Sequence, residues 1–96
     1  MEEFIILANK TLSAQEENLY SNSKGAIVKT ILLHNSSART EATLKFDSVA
    51  FKFILEANET KMLDNIIFTK KIDAQGSGIN IHITALQMWG GHKWLI

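Results

Sequence analysis

Apolar residues recur at a two-residue period through much of this chain, and no proline interrupts them. Ala42, Leu44 and Phe46 alternate with Thr43, Lys45 and Asp47. Val49, Phe51, Phe53 and Leu55 line up against Ala50, Lys52 and Glu56, and Ile79, Ile81 and Ile83 alternate with Asn80 and His82. A period of two puts such residues on one face of a strand, whereas a helix would require a period near 3.6. Without proline, no strand is barred from the middle of a sheet. The pattern implies an all-β fold.

Polar clusters divide the pattern into short strands. Residues 35–38 and 57–60 read as turns, as do Lys24-Gly25 and Asp64-Asn65, while 73–78 reads as the loosest loop, with Gly76-Ser77-Gly78 a hairpin turn. Strands are expected over 3–7, 18–21, 26–33, 40–47, 49–55, 61–63, 66–68 and 79–87. Ser13 and Glu16 have capping-box spacing, but too few apolar residues surround them to anchor a helix. Residues 11–17 are therefore read as a loop or one helical turn. In 26–33, Ile27, Ile31 and Leu33 share one face and Val28, Thr30 and Leu32 the other, as in a central strand. Seven or eight short strands with regular turn signals indicate a single small antiparallel β-sandwich, or barrel-like, domain over 1–88. Residues 89–96 form a separate C-terminal tail.

The 96 residues suit one domain, and ten basic against ten acidic residues leave a formal net charge of zero. Nucleic acid and anionic membrane surfaces both select for an excess of Lys and Arg, so neither is an expected partner. Zero net charge is compatible with self-association. The chain has no cysteine, which excludes disulfides, thiolate catalysis and thiolate zinc sites. An acidic start, Met1-Glu2-Glu3, followed by the four apolar residues 4–7 does not resemble a signal peptide. No apolar run approaches the length of a membrane-spanning helix.

No catalytic constellation is visible. His34 lies beside Asn35-Ser36-Ser37, but no nucleophile-elbow pattern accompanies it. His34 and His82 could meet across paired strands, yet two histidines without a carboxylate at fixed spacing are a weak metal signal. The third, His92, lies in the tail. Gly76-Ser77-Gly78 is too short to cradle a phosphate. Phe51-Lys52-Phe53 could stack bases, but period-two spacing favours both phenylalanines facing the core with Lys52 in water. The expectation is a protein that is not an enzyme, with no catalytic, metal or cofactor-binding residues and no cofactor. Trp89, Trp94, Leu95 and Ile96, following the Gly90-Gly91 break, are the expected subunit interface, together with Tyr20. Tryptophan is enriched at binding hot spots. The alternative is that the tail folds back and closes one end of its own core.

Taken together, several segments carry a resemblance. Leu19-Tyr20 precedes a turn and then the run from Lys24-Gly25 to Leu33, with Gly25 and Lys29 at the positions of a glycine and a lysine in a family pattern. His34-Asn35-Ser36-Ser37 matches an Asn-Ser/Thr-rich turn. Leu55-Glu56-Ala57-Asn58-Glu59-Thr60 fits an L-x-A/P-x-E-T segment, Leu63-Asp64 precedes the next strand, and Gly78 to Leu86 fits a closing strand. Over about residues 5–88 this resembles a family of small virion proteins of tailed bacteriophages and prophages. Its motifs are soft strand-turn patterns. The loop over 71–78 is shorter than in the family, and the tryptophan-containing tail is not a shared element. The resemblance implies a β-sandwich that assembles in several copies on a phage particle, tail- or head-associated, without enzymatic activity. Its partners would be copies of itself and other virion proteins, and its location the virion, assembled in the bacterial host cytoplasm. A small carbohydrate- or ligand-binding β-sandwich module is the alternative, with Tyr20, Trp89 and Trp94 as its available aromatics.

Overall fold

A computed structural model describes the backbone of residues 2–64 and 67–88 and the side chains of 5–64 and 67–87. Seven strands account for most of it: β1 Glu2–Thr11, β2 Glu17–Asn35, β3 Thr40–Phe46, β4 Val49–Leu55, β5 Thr60–Leu63, β6 Ile67–Gln75 and β7 Ile79–Met88. Every pairing is antiparallel. The order is β1-β7-β2-β6-β3-β4, with β5 also on β2. The all-β reading is correct, and no helix occurs among the described residues.

The pairing partners of β2 show that this sheet cannot be flat. Glu17 at one end of β2 pairs with Ala74, and Asn35 at the other end pairs with Ile79. A straight strand of 19 residues would be about 60 Å long, yet the chain from Ala74 to Ile79 reaches at most about 18 Å. β2 must therefore fold back on itself. The reversal falls between Ser21 and Ala26, where the register with β6 slips and Gly25 adopts a φ of 80°. A left-handed backbone of this kind suits glycine. The ring of Phe68 covers the site, 2.5 Å from where a Cβ on Gly25 would sit. Two layers result. One holds β1, β7, the second half of β2 and β5; the other holds the first half of β2, most of β6, β3 and β4. The cross-section of 20 × 18 Å is too thick for one layer. This is a barrel-like sandwich built from one continuous sheet.

Both neighbours of β7 carry an extra residue at the same level. On β1 the register passes from Ile6–Thr84 to Ala8–Ile83, and on β2 from Val28–Ala85 to Thr30–Thr84. Leu7 and Lys29 are the inserted residues, and each bulge reverses side-chain parity in its own strand. Val28 is consequently buried with Ile31 and Leu33. This corrects the reading that put Val28 on the opposite face, because strict alternation fails across the bulge. β7 has no bulge, and Ile79, Ile81, Ile83 and Ala85 are all buried as alternation requires. Ile79, Ile81 and Ile83 pack with Leu12, Ala42, Leu44, Leu55 and Ile72 in one core.

Two other expectations change, and of the two readings of 11–17 the loop holds. The strand expected over 18–21 and that over 26–33 are parts of one interrupted strand, β2. Residues 11–17 contain no helical turn: Ser13 Oγ accepts the Gln15 N–H at 3.2 Å, and Glu16 pairs with Lys45 at 2.8 Å. Residues 73–75 are strand rather than loop, with Asp73 and Ala74 buried. Only Gly76–Gly78 turns, and the Gly76 N–H is tied to the Ser13 carbonyl at 2.8 Å.

One end of the sandwich is held by Asn35, fully buried. Its Nδ2 donates to the carbonyls of Ala38 (2.8 Å), Leu55 (3.0 Å) and Glu56 (3.2 Å). Its Oδ1 accepts the N–H and Oγ–H of Ser37, both at 3.0 Å. The Asn35 N–H donates to the Glu59 carbonyl at 2.9 Å and its carbonyl accepts from Asn58 at 2.7 Å. The connections β2–β3 and β4–β5 are thus joined through one side chain. In the second connection Glu59 Oε1 accepts the Glu56 N–H at 2.7 Å. That bond, with the Lys61 ammonium at 3.1 Å, holds the Glu59 carboxyl below the usual carboxylate range.

Candidate docking groove

Asp47 and Ser48 link β3 to β4 with φ values of 52° and 75°, flanked by the pair Phe46–Val49. Two consecutive positive φ values make a type I′ hairpin, the turn whose twist matches paired strands. Asp47 Oδ1 accepts the N–H groups of Lys70 at 3.0 Å and Lys71 at 3.1 Å. The Asp47 N–H in turn donates to the Lys71 carbonyl at 3.0 Å. The hairpin tip is therefore anchored to β6, which fixes where β4 lies.

Among the described residues β4 pairs with β3 and β5 with β2, so each leaves its other edge unpaired. Between these two edges the sandwich opens into a groove of about 410 Å³. One wall comes from Phe46, Val49, Phe51 and Phe53, with Asp47 at the rim; the other comes from Leu63, Ile67 and Phe68. Phe46 and Phe51 meet with ring centroids 6.0 Å apart and planes tilted by 52°, a favourable aromatic geometry. Val49 is 56% exposed, Phe51 48% and Phe68 53%. The expectation that Phe51 faces the core is thus only half met: its parity is inward, but it lies on an edge strand over an opening. Asp47 is the single charged residue among the described residues of the lining, and its Oδ1 already holds two amides. Such a surface offers no nucleophile and no convergent set of free donors. What it can do is bury apolar side chains, each large one worth about 1.5–3 kcal/mol when fully covered.

His34 and His82 both point outward from neighbouring strands, with His82 opposite Leu32 and His34 opposite Asn80. His34 Nδ1 lies 2.7 Å from Thr60 Oγ1, while the Ser37 hydroxyl is spent on Asn35. No group of three His, Cys, Asp or Glu residues suitable for a metal ion occurs among the described residues. On this outer face Leu32 and Met62 pair across strands, 38% and 63% exposed.

Of the residues expected at a subunit interface, Tyr20 is partly buried against the core. Its hydroxyl donates to Gln87 Oε1 at 2.9 Å, and Gln87 Nε2 donates to the Gly25 carbonyl at 3.0 Å. Trp89, Trp94, Leu95 and Ile96 lie outside the described residues. The groove residues Val49, Phe51 and Phe68 were missed. A signal for them exists: β4 carries apolar residues on both faces, Ile54 being 48% exposed on the other, although it leaves a tight hairpin as an edge strand. No protein-family model matches the chain, and no curated protein matches it either.

Proposed function

We propose that this protein is an assembly subunit that acts by burying the groove between β4 and the β5–β6 edge against protein. One observation carries the reading: three large apolar side chains, Val49, Phe51 and Phe68, stand about half exposed around a single cavity. Contiguous exposed apolar surface of this kind marks interaction sites. The resemblance to small virion proteins of tailed bacteriophages and prophages supplies the setting. In that reading the chain is a tail- or head-associated structural component, and its partners are further copies and other virion proteins. A sugar-binding module fits the groove less well, because such sites add several placed polar groups to their aromatics.

Light scattering across a concentration series tests this on the wild-type chain, Phe51→Asp, Phe68→Asp and the outer-face control Met62→Asp. Wild type and Met62→Asp should form a defined multimer that both groove variants lose. A wild-type chain that keeps its protomer mass at every concentration, or groove variants that assemble normally, would refute self-assembly through this surface. The particle setting is tested separately, by mass spectrometry of purified phage particles, where a structural component occurs at a fixed ratio to the major capsid protein.

A further inference from the structure

We propose that two copies of this chain pair through the free edges of their β4 strands, antiparallel and about a two-fold axis beside Phe51. The inference rests on reading the groove as a site for protein, and it names the partner: β4 of a second copy, laid along β4 of the first.

The backbone of β4 determines which groups are free. In the β3–β4 hairpin the pair flanking the turn, Phe46–Val49, exchanges both of its hydrogen bonds. Bonding alternates from there, so Val49, Phe51, Phe53 and Leu55 direct their N–H and carbonyl groups at β3. The other side of β3 gives the same parity, because the Asp47 N–H donates to the Lys71 carbonyl on β6. The N–H and carbonyl groups of Ala50, Lys52 and Ile54 therefore point away from the sheet, and such an edge is a template for another strand. The edges of β1 and β5 suit this less. β5 is four residues long, and β1 is broken by the bulge at Leu7, a device that keeps strands off an edge. β4 runs in unbroken register over its seven residues, and residues 49–52 and 54 are all exposed.

Self-pairing requires a register in which these free groups meet and the strand complements itself. Placing Ala50 opposite Lys52 satisfies both conditions. Each such pair exchanges its N–H···O bonds, and the two-fold axis generates the pair twice. On the inner face Phe51 then meets its counterpart and Val49 meets Phe53, the aromatic–aromatic and aromatic–β-branched pairs that stabilise neighbouring strands. Charge selects this register. The next one of the same parity sets Lys52 opposite Lys52, and like charges directly opposite each other oppose pairing, whereas here the two lysines lie on a diagonal, about 7–8 Å apart. A register centred on Phe53 would leave Val49, 56% exposed, uncovered and set Phe51 against Leu55, which is already buried. The added strand lies one spacing, about 4.8 Å, beyond β4, where its Val49, Phe51 and Phe53 cross the mouth of the groove. The contact is isologous and closes at two copies.

The Ala50 N–H has no use within its own hairpin, so Ala50→Pro removes a donor from the dimer at an edge position that tolerates proline. Light scattering should give a dimer for the full wild-type chain and a dimer at least about tenfold weaker for Ala50→Pro, because each copy loses one bond. The chain has no cysteine, so engineered thiols report the register. Val49→Cys and Phe53→Cys, mixed and oxidised, should form a disulfide with each other. Neither should cross-link with itself, because like positions are offset by about 13 Å along the strands. If circular dichroism shows that Ala50→Pro has unfolded, the cysteine mixture decides. A dimer that Ala50→Pro leaves intact and that gives no cross-link between positions 49 and 53 would overturn the proposal. If Phe51→Asp and Phe68→Asp still abolish that dimer, the groove reading survives the loss. Cross-linking of Lys52→Cys with itself would also overturn the proposal, since it reports the register that charge opposes. So would a wild-type chain of protomer mass at every concentration. A dimer that forms the expected cross-link yet is untouched by Phe68→Asp supports strand pairing and refutes the groove as its contact.

Discussion

Replacing Asn35 by alanine should be among the most damaging polar substitutions in the chain, and its cost can be worked from its partners. The side chain is fully buried and serves the carbonyls of Ala38, Leu55 and Glu56 and both polar groups of Ser37. Nδ2 has two protons for three acceptors, so no more than four full hydrogen bonds are lost. Ala38, Glu56 and Ser37 are exposed and water can replace Asn35 there, which limits each loss to about 0.5–1 kcal/mol. Leu55 is fully buried, so water cannot replace Asn35 at its carbonyl, which keeps only its place opposite Thr40 in the β3–β4 ladder, at about 0.5–1.5 kcal/mol. The sum is about 2–4 kcal/mol, a large share of the 5–15 kcal/mol typical of a whole domain. With a urea m-value near 1.5 kcal/mol/M, the midpoint should fall by about 2 M. Ser37→Ala, which removes one hydroxyl bond, should cost only about 0.5–1.5 kcal/mol. Equilibrium urea unfolding followed by circular dichroism measures both. A loss below about 1 kcal/mol for Asn35→Ala at unchanged m-value would falsify the assignment of Asn35 as the tie between the two connections.

Ser48→Gly should raise the melting temperature, because a φ of 75° in a type I′ turn favours glycine by about 0.5–1 kcal/mol; a lower melting temperature would contradict the turn assignment. Glu59→Gln should lower the urea midpoint by more at pH 7 than in acid. The folded carboxyl of Glu59 titrates below its ordinary value of 4.5, so its contribution is complete above that value and is lost as pH falls through the folded one. A wild-type-to-variant gap that does not narrow as pH falls from 7 to 3 would count against this. Leu44→Ala, at a fully buried position between the layers, should cost about 2–5 kcal/mol by calorimetry or urea unfolding, and a smaller loss would show that the site collapses around the cavity.

Much of the sheet was legible in the sequence, because unbulged strands report their faces directly. β3 and β7 did so, and their inward residues are those that alternation names. β2 and β6 did not. A bulge at Lys29 shifts parity by one residue, and nothing in the local sequence marks it. The reversal near Gly25 reads as a turn between two strands, since local pattern cannot show that β6 pairs on both sides of it. Asp73 looks like a loop residue until Asn18 Nδ2, 3.0 Å away, and Lys71, 3.6 Å away, are found beside its carboxylate. The groove was hidden for a different reason. Period-two spacing says which face Phe51 takes, but not whether that face is covered, and coverage depends on strand order.

The doubled-back course of β2 bears on how the molecule opens. A sandwich of two separate sheets can part along its core, each half keeping its own hydrogen bonds. Here the same strand is stitched into both halves, and β6 follows it through the fold. Neither half can swing away without breaking backbone pairing in the other. Slow amide hydrogen exchange should therefore group the protected amides of β2, β3, β6 and β7 into one cooperative unit with a single opening free energy, leaving faster exchange to the free edges of β4 and β5.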